Sequence, residues 1–258
     1  MGNEIPTWGI DVQRTSYYRY ASLLKDNLDT EYDDPMSGRR TTIRNEYLRD
    51  ERFNERRPPV FLTSFGVGLT VYLQRDKRLV FTKRGRTELE PGTFGNAVNE
   101  SLHSKDIDEN DPSGTAVRCA IRGAWEELGI QNATSDMLNF LSVGFTVKEL
   151  WYALRGILCV DLSFEELKRV AARAPDRRFE IENIYSIPAQ PVEVALQELF
   201  CITQRYNHRW NAGYLANLLL AIRFFNQDTY DKYTELICHN PQRAGVSIPY
   251  SLLFPPLP

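Results

Sequence analysis

The chain has 258 residues, enough to bury one large core or a core with an appendage. Its 42% hydrophobic and 25% charged residues are ordinary for a globular protein, and 13 Tyr, 13 Phe and 4 Trp argue against wholesale disorder. A formal net charge of −3 excludes the broad basic footprint of a duplex nucleic-acid binder, while a local basic pocket stays compatible with it.

In chain order, the N-terminal MGNEIPTWGIDV lacks a basic-then-apolar signal pattern, and Gly2 has no Ser or Thr at the myristoylation position. A cytoplasmic protein is the expectation. Thr15 to Leu28 suits a short amphipathic helix or a strand–helix entry. Asp29 to Pro59 is dense in charge and reads as a solvated linker or arm, or as arginines that close over an anionic ligand. The β-branched and aromatic run VFLTSFGVGLTVYLQ, the turn Arg75-Asp76-Lys77 and the run RLVFTKRG predict an antiparallel hairpin. Pro91-Gly92 breaks the pattern, Ala97-Val98 resumes it briefly, and His103 to Gly114 reads as a polar surface loop. Thr115 to Leu128 is a helix with Ser113 or Thr115 as N-cap and Gly129 as its stop. Ala116, Ala120 and Ala124 form a small-residue stripe for packing on a sheet.

Downstream, NFLSVGFTVKELWYALRGILCVDLS predicts two strands, Phe164 to Ala172 a short helix, and RRFEIENIYSIP a strand ending at Pro188. Two helical segments follow from Val192, the second being the apolar Ala212 to Phe225, and then comes the Pro-rich tail SLLFPPLP. These last apolar segments predict a surface for a second copy of the chain, a homodimer. The longest apolar stretch, Leu215 to Phe225, is too short to span a bilayer. Cys119, Cys159, Cys201 and Cys238 are scattered small apolar residues, and His103, His208 and His239 lie too far apart in sequence for a zinc motif. His208-Arg209-Trp210 reads as packing at the start of the last helix.

The chemistry concentrates in Arg122-Gly123-Ala124-Trp125-Glu126-Glu127-Leu128-Gly129-Ile130. Two adjacent carboxylates near a helix end present hard oxygens of the kind Mg²⁺ or Mn²⁺ takes, and such ions bridge diphosphate oxygens. Arg122 precedes Glu126 by four residues, so its guanidinium can hold that carboxylate in one rotamer. Position 123 shares a face with Glu127, yet carries glycine, which costs about 1 kcal/mol relative to Ala in a helix interior. Either a neighbouring backbone or a ligand approaches closely there, or the site is a relic short of one carboxylate.

Together with the upstream hairpin and the Pro91-Gly92 turn, this segment resembles the Nudix signature: Arg-Glu, an aliphatic residue, any residue, Glu-Glu, any residue, Gly, an aliphatic residue. Arg122, Glu126, Glu127, Gly129 and Ile130 match, Ala124 is a weak aliphatic, and Gly123 replaces the first Glu. Upstream, Gly114 stands where the family has Glu, and Val98-Asn99-Glu100-Ser101 stands where many members carry Gly-Gly. The resemblance implies a Nudix-like mixed-sheet α/β/α sandwich over residues 61–191, with an N-terminal arm (1–60) and a C-terminal helical extension (192–258). It implies divalent-metal-dependent hydrolysis of a nucleoside-diphosphate-linked substrate. Glu126 and Glu127 would be metal ligands and Arg122 their organiser. Glu100, Glu180 and Glu182 are candidates for a further metal-binding or water-activating carboxylate, and Lys83, Arg84 and Arg86 for meeting phosphate. Phe145, Trp151 and Tyr152 are either base-stacking or core residues. A catalytically silent Nudix-fold nucleotide sensor or scaffold, or an oligomerising interaction protein, is the alternative.

Overall fold

The computed structural model describes residues 29–35, 37–42, 45, 64–85, 91–146, 151–176, 181–206 and 210–239. The expected Thr15–Leu28 helix and the SLLFPPLP tail lie outside the described residues. The chain divides into two compact units, residues 1–64 with 147–151 and residues 65–146 with 152–258.

In the first unit, part of the charged segment read as a linker is an antiparallel hairpin of β1 (Glu31–Asp33) and β2 (Arg40–Thr42). Turn chemistry explains it. Gly38 adopts φ +63°, its N–H donates to Asp34 O at 2.7 Å, and the Asp34 carboxylate accepts from the Ser37 N–H at 3.2 Å.

The second unit is built on a seven-stranded sheet. Its strands are β3 (Ser64–Leu73), β4 (Arg78–Arg84), β5 (Phe94–Asn96), β6 (Val98–Ser101), β7 (Leu138–Thr146), β8 (Trp151–Val160) and β9 (Ile181–Pro188). The order is β5-β4-β3-β8-β7, with β6 also pairing β3 and β9 also pairing β4. The predicted hairpin is β3 and β4, joined antiparallel through Val71↔Val80. The Gln74 N–H donates to Val160 O at 3.0 Å, which sets the C-terminal ends of β3 and β8 side by side and makes the sheet mixed.

Strand periodicity sends apolar residues to both faces, and each face has its own core. Val67, Leu69, Val71 and Leu73 of β3 pack with Ala120, Ala124 and Leu128 of α1 (Thr115–Leu128) and with Leu167 of α2 (Phe164–Ala171). On the other face Leu79, Phe81, Phe94, Ile157 and Ile187 meet three helices, α3 (Val192–Tyr206), α4 (Ala212–Phe225) and α5 (Gln227–His239). The fold is an α/β/α sandwich.

Two details differ from the sequence reading. The N-cap of α1 is Gly114 rather than Ser113 or Thr115. Asp111 does the capping one turn earlier, accepting from the Gly114 N–H at 3.2 Å and the Ser113 hydroxyl at 2.8 Å. Among the described residues three helices rather than two run from Val192, because the buried Asn226 amide donates to Ala189 O and Ile222 O, both at 2.7 Å, and turns the chain directly into α5. Of the apolar residues of α4, Leu218, Ala221 and Ile222 are buried in the chain's own second core, while Phe224 is exposed. Gly129 ends α1 as expected, at φ +69°, and a Cβ there would lie 2.5 Å from Val170 O. Among the described residues no helix is long and apolar enough to cross a membrane.

Candidate functional site

Register brings β6 against α1. β6 pairs with β3 through Val67↔Glu100, Gly68↔Asn99 and Leu69↔Val98, so Val98 and Glu100 share the face that carries Val67 and Leu69 toward the helix. Gly123 is where they meet. A Cβ on it would lie 2.7 Å from Glu100 Cβ and 2.8 Å from Val98 Cγ1, closer than atoms tolerate. The glycine is there because a strand passes over it, and Glu100 fills the space that a side chain at position 123 would take.

Arg122 gathers the carboxylates around this contact. Its Nη1 lies 3.1 Å from Glu100 Oε1 and 2.8 Å from Glu126 Oε2, and its Nη2 lies 2.8 Å from Asp106 Oδ2. Its Nε also donates to Asp106 Oδ1 at 3.0 Å, and Nη2 donates to Ser101 O at 2.8 Å. One guanidinium among three carboxylates leaves the cluster net negative. The Asp106 side chain is 3% exposed and that of Arg122 17%, so these are largely desolvated charges whose loss would matter. Burial alone would raise the Asp106 pKa. Hydrogen bonds from Arg122 and the His103 N–H, with the nearby positive charge, outweigh it and hold the carboxyl below its ordinary value. Arg122 is correspondingly raised, first by its hydrogen bond to Asp106, against the opposing effect of burial.

Glu127 is buried and accepts from the Asn99 N–H at 2.8 Å. Adjacent residues of β6 therefore meet α1 at two levels, Glu100 at Arg122 and Gly123 and Asn99 at Glu127. Nearby Cys119 is buried, and desolvation pushes its thiol up, so it stays neutral.

Asp106 is the residue the sequence reading missed by treating 103–114 as a surface loop. Ser104–Asp106 is a 3-10 turn in which the His103 ring nitrogen accepts from the Lys105 N–H at 3.1 Å and Asp106 accepts from the His103 N–H at 2.8 Å. The one legible signal was the capping-box spacing of His103 and Asp106.

The other candidates lie elsewhere. Lys83 and Glu182, on paired strands β4 and β9, form an ion pair with each other at 2.9 Å. Arg84 turns to α4, its Nη1 3.3 Å from Tyr214 Oη. Arg86, Glu180, His208 and Arg209 lie outside the described residues, as do the side chains of Phe145 and Trp151. Tyr152 is half-buried, and desolvation raises its hydroxyl pKa. Trp210 is a packing residue, its ring 4.9 Å from Phe94 and 5.1 Å from Phe81 and its Nε1–H donating to Thr203 Oγ1 at 2.9 Å.

Glu100, Glu126 and Glu127 suit Mg²⁺ or Mn²⁺ in donor type and in charge. As they stand, two are engaged by Arg122 and the third by the Asn99 N–H. Among the described residues no group of three or more His, Cys, Asp or Glu side chains is arranged to hold a metal ion.

No family model and no curated protein matches the chain. Solved structures similar to it include the DR0079 protein of Deinococcus radiodurans, at 16% identity and a TM-score of 0.35, covering 56% of this chain and 77% of that one. A second is a bifunctional NMN adenylyltransferase/ADP ribose pyrophosphatase of Francisella tularensis complexed with AMP and a Mn ion. It has 10% identity, a TM-score of 0.40 and coverage of 64% of this chain and 42% of that one. A third is the Nudix hydrolase RenU of M. smegmatis, at 10% identity and a TM-score of 0.30, covering 69% of this chain and 87% of that one. The chain thus spans less than half the length of the bifunctional enzyme.

Proposed function

We propose that the chain is a divergent Nudix-type hydrolase acting on a nucleoside-diphosphate-linked substrate, with Glu126 and Glu127 from α1 and Glu100 from β6 as its carboxylate set. The observation that carries this reading is the packing of Glu100 over Gly123. The third carboxylate that the helix signature lacks is supplied by the neighbouring strand, and it meets the same guanidinium as Glu126. Mg²⁺ or Mn²⁺ held by these residues would supply charge neutralisation of the diphosphate and an activated water. Arg122 keeps Glu100 and Glu126 in fixed rotamers, and the Asn99 N–H orients the Glu127 carboxylate.

A second reading, nucleotide binding without turnover, is favoured by one specific feature: Arg122 already engages Glu100 and Glu126, two of the three carboxylates a divalent cation would need. The two readings separate experimentally. Mn²⁺ binding by calorimetry and Mg²⁺-dependent phosphate release from sugar-linked nucleoside diphosphates are measured on wild type, Glu100→Gln and Glu127→Gln. A hydrolase loses turnover by on the order of 100-fold in each variant. Nucleotide binding by wild type with no metal-dependent release supports the scaffold, and the absence of both sinks the two readings together.

A further inference from the structure

A second cluster of charge lies on the sheet face opposite α1. Arg155 of β8 alternates with Ile157 and Cys159, which pack into the second core, and it reaches the first turn of α4. A Cβ on Gly213 would lie 2.7 Å from Arg155 Nη2, and a Cβ on Gly144 would overlap its guanidinium carbon. Arg155 is half-buried, and among the described residues it makes no ion pair and no hydrogen bond. Desolvation lowers its pKa, with only the Tyr214 hydroxyl acting the other way. A second guanidinium approaches the same tyrosine: Arg84 Cζ is 5.9 Å from the Tyr214 ring centroid. Gly95 lies under both, a Cβ there falling 3.4 Å from Tyr214 Cδ2 and 3.5 Å from Arg84 Cγ.

Holding a cation partly out of water without a counter-charge is costly, and this chain does so in a protein of net charge −3. The planar fork of a guanidinium matches the oxygens of a phosphoryl group, which it takes in bidentate fashion. Gly144 and Gly213 leave room for the Arg155 guanidinium, and Gly95 leaves room for Arg84 and the Tyr214 ring. We propose that Arg155, with Arg84 and the Tyr214 hydroxyl, forms a binding site for the phosphoryl group of a small-molecule ligand on the sheet face opposite the α1 carboxylates. The site does not depend on the hydrolase reading.

The probe is inorganic phosphate, added to the full chain in a metal-free buffer and followed by calorimetry and thermal melting. Wild type binds it saturably and its Tm rises with concentration, whereas equal acetate has little effect. Arg155→Gln weakens phosphate binding by about tenfold or more and loses the Tm rise, while Arg155→Lys, which keeps the charge without the fork, weakens binding by roughly threefold. In phosphate-free buffer Arg155→Gln melts no lower than wild type, because a desolvated charge has been removed. Absence of saturable binding by wild type, an equal response to acetate, or unchanged affinity in Arg155→Gln overturns the assignment. Should Arg155→Gln not fold, Arg155→Lys decides: weakened binding supports the site and unchanged binding overturns it.

Discussion

At the residue scale the informative position is Gly123. A helix-interior glycine is a standing cost of about 1 kcal/mol, and here it is offset by the approach of β6, whose Val98 and Glu100 side chains occupy the space a side chain would need. Gly123→Glu therefore does not restore a missing carboxylate. It drives β6 from α1, separates the Asn99 N–H from Glu127 and overpacks a closed contact. The expected loss is about 2–3 kcal/mol, roughly 5–10 °C in Tm for a chain of this size. Thermal melting of the variant checks it, and a Tm at or above wild type would show that β6 can retreat at little cost.

At the scale of elements, one guanidinium ties three pieces together: Arg122 of α1 holds Glu100 of β6 and Asp106 of the 3-10 turn before the helix. Arg122→Gln leaves largely buried carboxylates facing one another. The cost should be about 3 kcal/mol, at the low end for a broken buried pair because the side chains keep some contact with water. The clamp also sets an acid limit. The folded-state pKa of Asp106 is held below its ordinary value, so its stabilisation is complete above the unfolded pKa near ~3.9 and disappears as pH falls through the lower folded value. Stability measured by denaturant titration between about pH 5 and pH 2 should fall with acid in wild type, and Asp106→Asn should flatten that dependence. An identical slope in both proteins would remove Asp106 as the titrating group.

At the scale of the whole second unit, the sheet has two covered faces, and the helices after Val192 form one of the covers. Leu79, Phe81, Phe94, Ile157 and Ile187 are at most 1% exposed because α3, α4 and α5 lie over them. A chain ending at Gln190 would open that face to water, at about 1.5–3 kcal/mol for each large apolar side chain exposed, a sum beyond the net stability of most domains. The truncated chain is expected to lose its cooperative thermal transition by circular dichroism. A sharp melt near that of the full chain would show that the first core suffices.

Much of this architecture is legible in the sequence, because its signals are local and periodic. The β3–β4 hairpin follows from alternating apolar residues about a short turn, α1 from its alanine stripe and terminal glycine, and the pairing of Arg122 with Glu126 from their spacing along one helix. These depend on neighbours within a few residues, where backbone geometry alone dictates what meets. What only the tertiary structure decided is what lies across from each element. Glu100 reaches Gly123 because β6 pairs with β3 in one register, and a shift of one residue would have turned Glu100 to the opposite face. Asp106 enters the Arg122 cluster from 16 residues away, and Arg155 meets the first turn of α4 from the middle of the sheet. The physical reason is that packing is set by the summed burial of both faces, while the sequence reports directly only the preferences of adjacent residues.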